Sequence, residues 1–133
     1  MDSYGLLDMG YYYSGTNDID WSGTWADIVS QRCFMLIEDI GDNFYTIQVQ
    51  WSSGASNTTY WDMRAYYNNL TGELEYDNAT SYESIYTEDD DIIEDLRYID
   101  GTGKFYFTND GHLYWQDDVE NIGERCLFEK ENY

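Results

Sequence analysis

Residues 31–51, Gln31-Arg32-Cys33-Phe34-Met35-Leu36-Ile37-Glu38-Asp39-Ile40-Gly41-Asp42-Asn43-Phe44-Tyr45-Thr46-Ile47-Gln48-Val49-Gln50-Trp51, decide the fold. In the second half Tyr45, Ile47, Val49 and Trp51 alternate with Phe44, Thr46, Gln48 and Gln50. That period of two, rich in β-branched and aromatic residues, is the pattern of a strand with one buried face. In the first half Cys33, Met35 and Ile37 share one face and Phe34 and Leu36 the other. Gly41-Asp42-Asn43 between them are residues that tolerate positive φ in a tight turn. The stretch is a β-hairpin, and later segments repeat its plan.

Outward from the hairpin, Trp21 to Val29 reads as the preceding strand. After the loop Ser52–Ser56, Asn57 to Tyr67 reads as a long strand, and Asn68–Gly72 turns the chain. Glu73 to Asp77 places Leu74 and Tyr76 inward, and Asn78 to Thr87 continues as a tyrosine-rich strand. Glu88-Asp89-Asp90-Asp91 is a solvated turn, because four adjacent carboxylates resist burial. Ile92 to Ile99 runs back, Asp100-Gly101-Thr102-Gly103 reads as a turn, and Lys104 to Thr108 follows. Asn109-Asp110-Gly111 marks another hairpin, after which Leu113 and Trp115 face in. Asp117 to Gly123 reads as a longer turn or single helical turn, and Arg125 to Lys130 as the closing strand. The expectation is an all-β domain: an antiparallel meander of about eight or nine strands over residues 21–133, closed into a barrel, with residues 1–20 as an N-terminal arm.

Composition sets the functional bounds. The 133 residues suffice for one core, and 42% are hydrophobic. There are 15 Tyr and 5 Trp but no Pro, so Gly, Asn, Asp and Ser must make the turns. Against 27 Asp and Glu stand six Lys and Arg, a formal net charge of −21. Such a surface repels nucleic acid and anionic membrane and attracts cations and basic proteins. No segment has the length of a transmembrane helix, so no membrane insertion is expected. Cys33 and Cys126 admit either one disulfide or two buried thiols.

The chemistry-bearing motifs are few. His112 is the single histidine, so zinc ligation and a histidine-based triad have little to build on. No HExxH, P-loop or GxGxxG occurs, and no carboxylate pair stands in an apolar setting that would mark glycoside hydrolysis. Glu88–Asp91, with Glu94 and Asp95, lack the spacing of a calcium-binding EF-hand loop. The chain is therefore expected to be no enzyme and to carry no metal or cofactor. Trp25, Trp51, Trp61 and Trp115 fall on the inward phase of their strands. Tyr60, Tyr66, Tyr98, Tyr106 and Tyr114 fall on the other phase or at strand ends. Tyrosines among carboxylates suit a protein-binding surface, so Glu88, Asp89, Asp90 and Asp91 with these five tyrosines form the candidate partner site.

Gly23-x-Trp25 on the first strand resembles the Gly-x-Trp of calycin-type, lipocalin-like barrels. The match extends through Ser30-Gln31-Arg32, Trp51-Ser52-Ser53, Trp61, Thr71–Tyr76, Gly101-Thr102-Gly103 and Leu113–Asp118. As a whole the spacing is similar to the small lipocalin-like domains at the ends of bacterial cell-surface lipoproteins. The resemblance implies a barrel whose Trp25 plugs one end and packs against an arginine, for which Arg125 is the candidate. It also implies an accessory domain outside the cytoplasm if a leader has been removed; a native Met1 would place the protein in the cytoplasm. Three functions follow as expectations: a non-catalytic domain engaging a basic protein partner, a nucleic-acid mimic that inhibits a DNA- or RNA-binding protein in the manner of a phage anti-CRISPR, and a small-ligand carrier. None involves direct binding of nucleic acid.

Overall fold

A computed structural model describes residues 19–131. The arm expected over residues 1–20 thus lies almost wholly outside the described residues. Among the described residues eight antiparallel strands form one ring-like sheet in chain order. They are β1 (Gly23–Asp27), β2 (Cys33–Gly41), β3 (Phe44–Ser52), β4 (Asn57–Asn68), β5 (Glu73–Tyr86), β6 (Ile92–Phe107), β7 (Leu113–Asp117) and β8 (Phe128–Lys130). One 3-10 turn, Ile122–Arg125, precedes β8. Each strand pairs with its successor, and β8 also pairs with β1, placing Trp25 opposite Lys130.

The deciding hairpin forms as its pattern requires. Cys33, Met35, Ile37, Tyr45, Ile47 and Val49 are buried, while Phe34, Leu36 and Phe44 are exposed. Asp42 and Asn43 both take positive φ, 57° and 66°, the geometry that matches the twist of the flanking strands. The interior is aromatic. Trp61 and Trp115 meet edge to face at 5.2 Å, and Phe105 stacks on Trp115 at 5.9 Å. Trp115 Nε1 donates to Tyr76 Oη at 2.9 Å, which satisfies the buried indole N–H.

One expected boundary is corrected. Asp100-Gly101-Thr102-Gly103 is no turn, and β6 runs through it unbroken. These glycines provide clearance: a Cβ on Gly103 would lie 2.3 Å from Tyr76 Oη and from the Gln116 carbonyl, and one on Gly101 2.7 Å from the Tyr98 ring. The continuation expected from 73–77 into 78–87 forms as one strand, β5, which ends at Tyr86 and carries a bulge at Asp77-Asn78. There the Asn78 amide stands in for the backbone ladder: Oδ1 accepts from Arg64 N–H at 2.7 Å and Nδ2 donates to Arg64 O at 2.9 Å.

Candidate interaction surface

The turn Glu88–Asp91 joins β5 to β6 and is exposed throughout. Thr87 holds it, donating its N–H to Asp91 O at 2.8 Å and accepting Asp91 N–H on its hydroxyl at 3.2 Å. Asp90 takes positive φ, and its carboxylate accepts from Tyr86 Oη at 3.2 Å.

The candidate tyrosines divide into two groups and one exception. Tyr60 stacks on its cross-strand neighbour Tyr82 with ring centroids 5.1 Å apart. Leu96 lies opposite Tyr82 on β6, so this cluster leads along the outer face toward the acidic turn. Desolvation and the nearby Asp62 carboxylate push the Tyr82 phenol up to about 12. Farther down the same face, Tyr66 Oη donates to Glu75 at 2.9 Å, which raises the phenol pKa. Lys104, across from Glu75, lies 5.8 Å from the Tyr106 ring, and Tyr106 pairs with Tyr114 at 5.6 Å.

Tyr98 is the exception, and the expectation of an outward side chain is corrected. It packs against the core, and its hydroxyl accepts from Trp61 Nε1 at 2.9 Å. The cause is a register shift at Arg97, which changes the phase of the strand. Arg97 also turns in, over the Trp61 ring at 5.5 Å, donating to Ser81 Oγ at 2.6 Å and pairing with Glu120. Desolvation and Asp117 push the Tyr98 phenol up to about 12.

Of the residues the resemblance singled out, Trp25 is buried at 2% exposure. Its indole donates to Trp21 O at 2.9 Å, and the cation over its ring is Lys130, 5.6 Å from the centroid, rather than Arg125. Cross-strand pairing explains this, since Lys130 lies opposite Trp25 while Arg125 belongs to the 3-10 turn. Gly23 has φ 127°, and a Cβ there would meet the Lys130 stem at 2.8 Å. His112 lies between Asp110 at 3.1 Å and Glu129 at 3.5 Å, which raise its pKa. Among the described residues no three His, Cys, Asp or Glu side chains gather to hold a metal.

Two buried acids escaped sequence reasoning. Asp27 and Asp117, each 1% exposed, end β1 and β7. Asp27 accepts the N–H groups of Val29 and Ser30, both at 3.0 Å, while its carbonyl accepts Gln31 N–H at 3.1 Å. Asp117 does the same with Val119 and Glu120, at 3.1 and 3.3 Å, and Asn121 N–H reaches its carbonyl at 2.9 Å. Gln31 and Asn121 both take positive φ, 62° and 57°. The signal is an internal echo, Trp25-Ala26-Asp27-Ile28-Val29 against Trp115-Gln116-Asp117-Asp118-Val119.

Against known proteins, the chain matches no family model, no curated protein and no solved structure.

Proposed function

We propose that this chain is a non-catalytic binding protein, a lipocalin-like barrel whose acidic exterior engages a macromolecular partner with a basic surface. The observation that carries the reading is the division between a filled interior and a charged exterior. Trp21, Trp61, Trp115, Phe105 and Phe128 are among the largest fully buried side chains and occupy the space a carrier would reserve for its ligand. The chain carries 27 acids against six bases, every described acid but Asp27 and Asp117 is at least partly exposed, and Arg97, Lys104 and Lys130 are already paired with Glu120, Glu73 and Asp20. The exposed positive charge is thus partly neutralised, and the surface field is negative. The acidic turn and the Tyr60–Tyr82 cluster supply charge for encounter and aromatic area for retention.

Immobilised protein challenged with basic host proteins tests the reading. Retention should be strong at 0.01 M salt and fall as the Debye length shrinks from about 30 Å to about 8 Å at 0.15 M. Charge neutralisation of Glu88, Asp89, Asp90 and Asp91 should slow association more than it speeds dissociation. Retention indifferent to salt overturns the proposal. Competition by duplex DNA for the same partner would assign the inhibitor form, in which carboxylates stand where phosphates would lie.

A further inference from the structure

We infer that the free edge of β6, from Ile92 to Ile99, is a strand-addition site for an extended basic segment of a partner protein. This deepens the binding reading above and rests on it.

The geometry begins with unequal strand lengths. β6 is 16 residues long and β7 only 5. β7 pairs with β6 only from Gly103 to Phe107. From Ile92 to Tyr98 the other side of β6 is taken by β5. Among the described residues no strand pairs with the remaining side, so a row of backbone N–H and C=O groups faces outward there. The side chains tell the same story. A strand in a ring normally buries every second residue, yet from Ile92 to Asp100 only Tyr98 is other than exposed. Ile92 is 63% exposed, Leu96 67% and Ile99 59%, alongside Tyr86 at 52%. Soluble proteins blunt such edges with lysine, proline or cover, because an open apolar edge is a template for another strand. This edge has neither lysine nor proline, and its bulge and inward-turned charge come only at Arg97, beyond the regular run Ile92–Leu96.

Charge decides the occupant. Glu94 and Asp95 lie within the edge and Glu88–Asp91 at its end. The one cation on this stretch, Arg97, is drawn inward to Ser81 and Glu120 and is withheld from an incoming strand. A second copy would set these acids against their own kind in a chain of net charge −21, and like charges across a strand pair are unfavourable. Successive side chains of a strand point to opposite faces, so Glu94 shares a face with Ile92 and Leu96, and Asp95 shares the other with Ile93. A segment with two adjacent Lys or Arg flanked by β-branched residues instead places cations against Glu94 and Asp95 and apolar side chains against Ile92, Ile93 and Leu96. Main-chain bonds provide the attachment, and the paired cations between apolar side chains the selectivity.

Backbone amide exchange of the full chain tests the assignment, with a valine octapeptide carrying two adjacent central lysines (the lysine–valine peptide) as probe and octalysine as the charge-only control. The outward amides between Ile92 and Ile99 should exchange rapidly in the free protein and at least 10-fold more slowly with the lysine–valine peptide, but not with octalysine. Ile92→Lys and Leu96→Lys, at exposed positions that leave folding intact, should each weaken that peptide at least 10-fold at an unchanged thermal midpoint. Protection already present in dilute free protein would mean that the chain covers its own edge. Protection that grows with protein concentration would mean a second copy; either result overturns the assignment. If both peptides bind in a salt-sensitive way without protecting the edge, the edge proposal falls while the acidic-binding reading stands. If neither binds at low salt, both fall.

Discussion

Asp27 and Asp117 sit in nearly identical corners, yet their carboxyl groups shift in opposite directions. Burial pushes both up. At Asp27 that push is outweighed by donors: the Ser30 hydroxyl and the N–H groups of Leu127, Val29 and Ser30 hold the group below its ordinary value of 3.8. At Asp117 burial wins over the N–H groups of Val119, Ile122 and Glu120, and the neighbouring Glu120 carboxylate adds to it, so the group is raised. The difference lies three residues after each acid, where Ser30 gives Asp27 a hydroxyl donor and Glu120 sets a second carboxylate beside Asp117. Each acid otherwise receives three backbone N–H groups, one of Asp27's coming from Leu127, 100 residues away, at 2.9 Å. One backbone solution thus yields an anchor at one corner and a strained acid at the other.

The largest expected effect is on the tryptophans that precede these acids. Trp25→Ala and Trp115→Ala should each cost about 3–5 kcal/mol in urea unfolding, with Trp115 the greater, because Trp61, Phe105 and Tyr76 all contact it. A Trp25 loss as large as that of Trp115 would break the ranking of the two corners.

Next comes a covalent way to sharpen the contrast. Cys33 and Cys126 are free and buried, with the Cys126 thiol close enough to hydrogen-bond Cys33 and, with burial, to raise its pKa. They flank the first corner, Cys33 beyond its turn and Cys126 beside Leu127. Oxidation by a small disulfide should link them, and the crosslink should stabilise the fold by about 2–4 kcal/mol, the typical contribution of a long-loop disulfide. Unfolding midpoints of reduced and oxidised protein, with mass spectrometry of the linked peptide, check this.

Substitution of the acids themselves is a smaller perturbation. Asp27→Asn at pH 7 should lose about 2 kcal/mol, since buried donors lose a charged acceptor. Asp117→Asn should change stability by less than about 1 kcal/mol, because removing a disfavoured charge offsets the weakened hydrogen bonds. Equal losses would break the comparison.

The finest test is pH. Asp27 is lowered, so its contribution is present above its unfolded pKa of 3.8 and is lost only as pH falls below that toward its folded value. Asp117 is raised, so its contribution is present below 3.8 and is lost as pH rises through its folded value. From pH 7 down to 4, wild type should gain on Asp117→Asn, while its margin over Asp27→Asn stays constant. Parallel urea titrations at stepped pH read both margins.

The hairpin of β2 and β3 was legible because its side chains alternate and its turn residues suit positive φ, both local properties. Gly101 and Gly103 were misread because glycine signals a turn as readily as a close approach. What they make room for, Tyr98 for Gly101 and Tyr76 and Gln116 for Gly103, is set by pairing rather than by the string. Tyr98 went astray for a related reason: register shifts on both sides of it, at Arg97 and between Tyr98 and Gly101, reverse its phase while Phe105 beyond them stays inward. Lys130 was overlooked in favour of Arg125 because the β1–β8 register is invisible until the ring is formed. Asp27 and Asp117 were two among 27 acids, and only the W-x-D-x-V echo distinguished them.

The link from Leu127 to Asp27 also bears on how the chain is born. Strands β1 to β7 each pair with a sequence neighbour, so the meander zips from contacts that cost little loop entropy. Among the described strands only the β1–β8 seam must wait for a segment 100 residues downstream. At a synthesis rate of about 5–20 residues per second, a nascent chain carries the β1 edge open for roughly 5–20 s. During that interval neighbouring nascent chains are the hazard, and the self-repulsion of a polypeptide with net charge −21 keeps them apart until the last strand emerges.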